Sequence, residues 1–420
     1  MDTRTSEQEL RREAVRRRAL GHRVCDICRD LQRTPQWLNK WWREFQTNLE
    51  TDFADHSRAP HVSPGKIAEE VEQAIITIRK ILEDAASPAT RYGLIGKGSI
   101  QAKLERLGIK PPPSEATIQR VLAKYGLTHP LGANHESAYY PWPIAWEINA
   151  IFATDIITKH LHGGTAIENF HTIDHYSPGI SLSQHLDKSS PTARAHLLRS
   201  WAQLGRPFVH QFDNESAFNG GHSHQRVFGQ IVRCCLYCQV EPFFTPIYDA
   251  KRNYQIETFH SLWVAGFWSR HQFSSCDEVR SELPLFLRWY RNEYRPPALE
   301  GKTVAQVRRG FQPPALSKPL TKLIPKGRLP LCVGRIHIMR KVDNCGSVAF
   351  LNESWPIGKS WVGEYVRATI DTARQQVSFW HKPDEATDWR CLKMRLFRIH
   401  ETVHNVKPEF RRKSERCLDC

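Results

Sequence analysis

The chain has 420 residues, of which 40% are hydrophobic and 25% charged, and its 59 basic and 44 acidic residues give a formal net charge of +15. This length predicts two to four domains, and the globular composition excludes wholesale disorder. No membrane span or secretory leader is expected, because no apolar run is long enough and the N-terminus is charged. The eleven unevenly spread cysteines favour a reducing cytoplasm over a disulfide framework.

The charge is concentrated at the two ends of the chain. Residues 1–45 carry +4 and residues 301–420 carry +12, whereas residues 46–145 are neutral and residues 146–300 carry −1. A basic excess favours a polyanionic partner, nucleic acid before an acidic membrane. The alternative is a generally basic soluble protein.

Residues 1–50 read as three short helices joined by turns. Apolar residues recur at helical spacing in EQELRREAVRRRAL and VCDICRDL, and Thr34-Pro35 provides an N-cap and a first-turn proline for QWLNKWWREF. This order predicts a helix-turn-helix DNA-binding domain, and a plain three-helix bundle is the alternative. We expect four side chains here to contact DNA: Arg33, Gln36, Lys40 and Arg43. The spacing Cys25-x-x-Cys28 lies within a predicted helix, so these cysteines are interpreted as core.

Residues 64–128 predict a second helix-turn-helix or winged-helix domain. The run Pro111-Pro112-Pro113 is a stiff connector, and Ser114 caps a last helix that carries Ile118, Val121 and Leu122. Lys124 is a further candidate for DNA contact. Two similar modules in tandem favour an extended DNA site.

Residues 146–300 alternate between β-rich runs and helical runs in the order βββαβαβ, followed by helices, which predicts an α/β domain with a mixed sheet. Residues 301–332 read as an extended, basic, proline-rich linker. The period-two strands of residues 333–400 predict a small antiparallel barrel, and residues 401–420 form a basic tail. The candidates for DNA contact in the barrel are Arg335, Arg340 and Lys341.

Three carboxylates occupy positions suited to chemistry. Asp155 lies within the first strand, Asp213 closes the strand FVHQFDN, and Glu257 is one turn into a helix. Converging carboxylates repel each other and need a hard cation such as Mg²⁺. Two such ions about 4 Å apart can activate a nucleophile and stabilise a leaving oxygen in phosphoryl transfer. Each acid taken alone could equally be a capped or salt-bridged structural residue.

The order of these elements and acids resembles the RNase H-like catalytic domain of transposases and retroviral integrases, which has a mixed five-stranded sheet with flanking helices. The segments that carry the resemblance are WEINAIFATDIIT, HTIDHYSPGI, FVHQFDNESAF and KRNYQIETFHSLW. With the upstream helix-turn-helix pair and the downstream barrel, the whole chain is similar to bacterial insertion-sequence transposases of the integrase-like Asp-Asp-Glu group.

The resemblance implies that Asp155, Asp213 and Glu257 are the catalytic and metal-binding triad. The 43 residues between Asp213 and Glu257 exceed the usual spacing, and the loop ESAFNGGHSHQR accommodates the excess. Glu241 and Asp249 are rival acids that do not start a helix. The side chains expected to support the triad are Asp174, Asn214 and Glu215, with a purely structural role as the alternative for Asp174. Those expected to contact the DNA backbone, or else to form a solvated turn, are Lys251, Arg252 and Asn253.

The function implied is cleavage at the ends of a mobile element and transfer of the 3′-OH into target DNA. The expected cofactor is two Mg²⁺ ions, with Mn²⁺ able to substitute, and no nucleotide cofactor is expected because no phosphate-binding glycine loop is present. The expected partners are end and target DNA and further copies of the chain, as a dimer or tetramer, in the nucleoid-associated cytoplasm of a bacterium. The alternatives are a DNA-binding regulator that does not cleave and a nuclease that does not join. The sequence leaves open the role of Cys417 and Cys420.

Overall fold

The computed structural model describes residues 7–54, 67–84, 94–128, 139–220, 224–247, 249–313 and 318–412. Two compact units are formed, Met1–Ala68 and Glu69–Cys420. The end of the basic tail, with Cys417 and Cys420, lies outside the described residues. Within the described ranges, every helix is too short or too polar to cross a membrane.

The first unit contains the three helices expected from the sequence: α1 (Glu7–Ala19), α2 (Val24–Asp30) and α3 (Pro35–Thr47). The hydroxyl of Thr34 accepts a hydrogen bond from the N–H of Trp37 at 3.2 Å, so α3 begins at the predicted cap. Cys28 is buried in the small core with Ile27, as expected from the sequence, whereas Cys25 is exposed, so its interpretation as core is wrong. These helices confirm the predicted elements, while a helix-turn-helix role in DNA binding stays a prediction.

The second unit begins with three more helices: α4 (Glu69–Asp84), α5 (Lys97–Arg106) and α6 (Glu115–Lys124). Ser114 caps α6 by accepting a hydrogen bond from the N–H of Thr117 at 3.3 Å. The helices pack through buried apolar side chains, including Ile100, Leu104 and Ile118. Their assignment to a second DNA-binding domain also stays a prediction.

The rest of the second unit is organised by one large mixed sheet. The strands of the described residues are β1 (Ile151–His160), β2 (Ala166–Asp174), β3 (Ile180–His185), β4 (Val209–Phe212), β5 (Glu241–Phe244), β6 (Leu331–Cys332), β7 (Arg335–Lys341), β8 (Ser347–Phe350), β9 (Glu353–Pro356), β10 (Tyr365–Asp371), β11 (Gln376–His381), β12 (Arg390–Leu396) and β13 (Val403–His404). Nine of them form the sheet in the order β12-β11-β10-β7-β5-β4-β1-β2-β3. Neighbours from β7 through β5 and β4 to β1 are parallel, and the outer pairs are antiparallel.

Helices cover both faces of this sheet. The remaining helices are α7 (Ser190–Leu204), α8 (Ser216–Asn219), α9 (Gln230–Tyr237), α10 (Tyr254–Gly266), α11 (Cys276–Asn292), α12 (Val304–Val307) and α13 (Leu320–Leu323). Phe152 of β1 packs in one core with α7 and α9, whereas Ala153 packs in another core with α10 and α11. Because side chains alternate along a strand, Asp155 shares the face of Ala153 and points towards α10.

The predicted five-stranded sheet is wrong, because the strands of residues 333–400 extend the same sheet. β7 pairs in parallel with β5, with His337 opposite Phe243 and Ile338 opposite Phe244. A separate small barrel is therefore not confirmed. The pairing covers what would otherwise be an exposed parallel edge at β5, and it buries Ile338 in the core that contains Phe244. The expected extended linker over 301–332 is also wrong for its described part, which contains α12, α13 and β6.

Candidate metal centre

The first two acids lie side by side on neighbouring parallel strands. Thr154 of β1 is paired with Phe212, the last residue of β4. Asp155 follows Thr154 within β1, and Asp213 directly follows Phe212 at the end of β4. The register therefore places the two acids side by side at the carboxyl end of β4. This is the edge of a parallel sheet where loops and helix starts leave room for a ligand.

The third acid is brought to this point by α10. The buried side chains Ile256 and Phe259 seat the helix on the β1–β2 face of the sheet, which contains Ala153. One turn into the helix, Glu257 turns towards β1. Ligand atoms of Asp155, Glu257 and His260 all lie within 4.8 Å of one another. The structure thus brings all three predicted acids to one region.

The electrostatics of the acids match a centre in which Asp155, Asp213 and Glu257 have no directly paired Lys or Arg among the described residues; the nearby Lys188 acts on Asp213 but is ion-paired with Glu215. Burial, followed by the neighbouring carboxylate of Asp155, raises the pKa of Asp213 to about 7. Burial also raises the pKa of Asp155, against the lowering effects of His260 and of the Ile156 N–H. Within the described residues, no Lys or Arg forms an ion pair with either side chain or with Glu257. Such a set favours a cation supplied from outside.

Two histidines at this centre were missed by the sequence analysis. The Nδ1 atom of His260 lies 3.9 Å from an oxygen of Asp155 and 3.8 Å from an oxygen of Glu257. His171 lies opposite Asp155 in the β1–β2 register, and its ring centroid is 4.9 Å from that of His260. Burial lowers the pKa of His171 well below its usual value, so this ring is neutral. The signal for His260 was its spacing of three residues from Glu257, which places both on one helix face.

The three expected supporting residues fall into two groups. The Glu215 N–H donates a hydrogen bond to Asp213 at 3.1 Å, and the Glu215 carboxylate pairs with Lys188, a cation that the sequence analysis missed. The Asn214 side chain donates to the carbonyl of Thr245 at 2.6 Å, which ties the β4 end to the β5 end. These two residues lie beside the centre.

Asp174 instead belongs to a separate internal cluster. Its carboxylate is fully buried and accepts hydrogen bonds from the Arg308 guanidinium at 2.8 Å, the Tyr176 N–H at 3.1 Å and the Asn149 N–H at 3.3 Å. Ser177 also donates to it. Burial raises the pKa of Asp174, and these donors oppose that rise. No hydrogen bond connects Asp174 to Asp155, Asp213 or Glu257 among the described residues, which favours the structural one of the two roles expected for it.

Two residues before α10 do not reach solvent as expected. The Arg252 guanidinium is buried, where it pairs with Asp249 at 2.9 Å and donates to the Tyr365 hydroxyl at 3.3 Å. Asn253 is buried and accepts a hydrogen bond from the Gln211 side chain at 2.8 Å. Direct contact of Arg252 and Asn253 with a DNA backbone is contradicted by this burial, because both polar groups hold the start of α10 in place. The side chain of Lys251 lies outside the described part of the structure.

The other candidates for DNA contact differ in what their side chains already do. Arg335 pairs with Glu241 at 2.9 Å, and Arg340 donates to Asn214 at 2.9 Å, with its pKa lowered to about 10 by burial. Internal bonding of these two guanidinium groups argues against the predicted DNA contact. Lys341 is exposed, and Lys124 is exposed although it pairs with Glu72 at 2.7 Å.

The candidates of the first unit agree better with a DNA-reading helix. Gln36, Lys40 and Arg43 are exposed on α3, at a spacing that places them on one face. Arg33, just before this helix, is partly exposed and forms an ion pair with Glu7. The contact with DNA itself stays a prediction for all four.

No protein-family model matches the chain. No curated protein matches it either. Solved structures do: the HTLV-2 integrase catalytic core domain in complex with magnesium, in its trimeric form, is 14% identical with a TM-score of 0.31, over 39% of this chain and 99% of that one. A chain of the simian T-cell lymphotropic virus intasome in complex with PP2A regulatory subunit B56 gamma is 15% identical with a TM-score of 0.35, over 72% and 96%. The BIV integrase catalytic core domain is 12% identical with a TM-score of 0.29, over 38% and 93%.

These three neighbours come from retroviral proteins, and none of the three is a bacterial insertion-sequence protein. At such low identities and TM-scores we take no functional assignment from them. The arrangement of the acids in this chain is what supports a function.

Proposed function

We propose that this protein is a metal-dependent polynucleotidyl transferase, a DNA transposase or integrase that cleaves at element ends and transfers the 3′-OH into target DNA. The observation that carries the proposal is the meeting of Asp155 and Glu257, with His260, within 4.8 Å of one another, beside Asp213 at the end of the neighbouring strand. A simple structural role would place a cation in direct contact with these acids, but among the described residues no Lys or Arg forms an ion pair with any of the three. Lys188, whose charge acts on Asp213, is ion-paired with Glu215. The same arrangement favours an enzyme over a DNA-binding regulator.

The donor set fits Mg²⁺, which prefers oxygen ligands, and Mn²⁺, which accepts the same carboxylates. The residues that would hold the ions are Asp155, Asp213 and Glu257. When bound, two such ions would supply activation of the attacking oxygen and stabilisation of the leaving oxygen. His260 offers a nitrogen, a poorer ligand for Mg²⁺, so its part is to position Asp155 and Glu257 rather than to bind the ion.

The residues of the chain prepare the site through orientation. The Ile156 N–H donates to one oxygen of Asp155 at 2.8 Å, and the Glu215 N–H donates to one oxygen of Asp213 at 3.1 Å. Each bond restricts the rotation of a carboxylate and leaves its second oxygen for a ligand. Glu257 is 44% exposed along its side chain, so the centre is open to a large substrate such as DNA.

The remaining parts of the proposal concern DNA and assembly. The exposed side chains of α3 and the basic ends of the chain would hold DNA by phosphate and base contacts, while the near-neutral middle carries the chemistry. Joining of two DNA ends would need a homo-oligomer, as a dimer or tetramer. A bacterial insertion-sequence origin and a place at the nucleoid belong to the same proposal.

The test is strand transfer with labelled DNA from the sequences flanking the gene, in the presence of Mg²⁺. We expect cleaved and joined products with the unaltered protein and neither product with Asp155→Asn or Glu257→Gln. Asp277→Asn is the matched control, because this acid is 89% exposed on α11, away from the centre. Undiminished cleaved and joined DNA from the Asp155→Asn variant would contradict the proposal. DNA binding without any cleavage would favour a regulator, and cleavage without joining would favour a nuclease.

A further inference from the structure

A large aromatic cavity lies beside the candidate metal centre. It has a volume of about 650 Å³, within the range of about 300–1,000 Å³ typical of ligand sites. Half of the residues that line it are aromatic, namely Tyr139, Trp142, Trp146, Phe243, Tyr254 and Trp389. No step of the proposed chemistry uses any of these rings.

The position of Tyr254 connects the cavity to the metal centre. Tyr254 is the first residue of α10, and Glu257 follows three positions later, so the two side chains are neighbours on the helix surface. The Tyr254 ring is 50% exposed and stands edge-on to the Trp142 ring, with centroids 4.8 Å apart. A strand whose phosphate reaches Glu257 would therefore pass these rings within a nucleotide or two.

The charges of the cavity wall favour a phosphate-bearing ligand. Arg367 of β10 is buried with its guanidinium carbon 4.0 Å from the centre of the Trp389 ring, and Lys382 follows β11. Glu385 is the one acidic residue among the described residues of the lining. Two cations against one carboxylate, set among flat rings, suit a nucleotide better than an acidic peptide.

We propose that this cavity holds unpaired nucleotides of the DNA strand next to the cleaved phosphate, by stacking their bases on Trp142, Tyr254 and Trp389. The inference rests on the proposed function, because it names the form of the DNA that the same site takes. Bases within a duplex hide their faces, so only an unpaired or flipped base can enter between the rings. Lys382, at the cavity wall, then lies where a backbone phosphate can be neutralised, while the buried Arg367 packs against the Trp389 ring.

The test compares a blunt DNA duplex with the same duplex carrying a short unpaired tail, with 2-aminopurine at the first tail position. Binding uses the full chain as its Asp155→Asn variant, so that cleavage does not interfere. We expect tighter binding of the tailed DNA and a fall in 2-aminopurine fluorescence on binding, because stacking quenches it. Adding Trp142→Ala or Trp389→Ala should reduce affinity for the tailed DNA about tenfold and leave the blunt duplex unchanged.

Two further variants keep the result interpretable. Trp142→Phe retains a flat ring and should keep most of the tail preference. Met394→Ala is the surface control, because this side chain is 56% exposed on β12 and does not line the cavity. Thermal unfolding identifies any variant that has lost its fold. If one of the variants Trp142→Ala and Trp389→Ala is unfolded, the binding of tailed and blunt DNA is judged from the other.

Equal affinity for tailed and blunt DNA, or equal loss of both in the tryptophan variants, would overturn the cavity assignment and would favour a different ligand, such as a peptide. A tail preference that depends on the rings would support it even if the unaltered protein gave no cleaved product, an outcome that counts against the proposed function alone. If cleavage occurred but was unaffected by the tryptophan variants and by the tail, the proposed function would be supported and the cavity assignment would be overturned.

Discussion

Asp174 and the pair formed by Asp155 and Asp213 are carboxylates of the same sheet region, but their surroundings are opposite. Asp174 has Arg308 at 2.8 Å and further hydrogen-bond donors, so its charge is balanced by the chain itself. Asp155 and Asp213 each receive one backbone N–H and are near each other, and burial raises the pKa of both. The comparison shows that the structural carboxylate, Asp174, is ion-paired with a cation of the chain itself. The neighbouring carboxylates of Asp155 and Asp213 repel each other and are suited to bind a cation from solution.

The largest expected effect concerns the uncompensated acids. Asp155→Asn removes one of the charges that would hold a divalent cation, at a cost of several kcal/mol in the transition state. We expect DNA cleavage to fall by about a thousandfold or more, with DNA affinity unchanged. Single-turnover cleavage in Mg²⁺ measures the first quantity, and fluorescence anisotropy measures the second.

The compensated acid should respond in stability instead. Arg308→Ala leaves the Asp174 carboxylate buried without its cation, and we expect the free energy of unfolding to fall by about 2–4 kcal/mol. Urea unfolding provides the measurement. The matched control is Arg309→Ala, an exposed neighbour, whose effect should stay within about 0.5 kcal/mol. If the two variants were equally stable, the contrast between the two carboxylate groups would be lost.

A smaller effect is expected from the histidine that faces both Asp155 and Glu257. His260→Gln should lower the cleavage rate about 10–100-fold and raise the Mg²⁺ concentration that gives half-maximal rate, because the two carboxylates lose a positioning neighbour. Excess Mg²⁺ should restore part of the rate, which a purely structural defect would not allow. His404→Gln, at an exposed position of β13, serves as the control.

The smallest expected effect is a higher free energy of unfolding for Asp213→Asn in the absence of metal. The folded-state pKa of Asp213 is about 7, above the ordinary value of 3.8. The folded protein therefore holds the proton more tightly, and this contribution is present at acid pH and is lost as pH rises through about 7. With metal chelated at pH 8, Asp213→Asn should be about 1 kcal/mol more stable than the unaltered protein.

Urea unfolding at pH 8 and at pH 5, both with chelator, checks this prediction. The advantage of Asp213→Asn should shrink at the lower pH, where Asp213 itself is protonated. Asp277→Asn should show no such pH dependence, because Asp277 is exposed. A variant less stable than the parent at pH 8 would mean that Asp213 has a built-in partner after all.

Local patterns were sufficient for much of this structure. Helical spacing and caps located α3 and α6 within a residue or two, and Thr34 and Ser114 act as the expected N-caps. The strand-end position of Asp213 and the helix-start position of Glu257 allowed these acids to converge with Asp155, and the resemblance to the RNase H-like domain selected the three. These features can be predicted from the sequence because they depend on residues that are close in the chain, through short-range hydrogen bonds and the alternation of side chains.

The failures have a common cause in long-range pairing. A period of two shows which face of β7 is apolar, yet it does not show that β7 would choose β5, nearly a hundred residues earlier, over a barrel of its own. Arg252 and Arg340 read as surface cations because nothing local shows that Tyr365 would receive the guanidinium of Arg252, or Asn214 that of Arg340. His171 became part of the centre only through its register with Asp155.

The amino-acid sequence by itself determined the elements, the apolar face of each, the basic ends and the three acids. Only the tertiary structure decided which strands share a sheet, which charges are balanced inside and which ones remain for a ligand. The physical reason is that burial makes a charge costly wherever it lies along the chain, and the partner that offsets this cost is chosen by packing in space. Arg308 forms an ion pair with Asp174, whereas in the described chain no Lys or Arg forms one with Asp155 or Asp213.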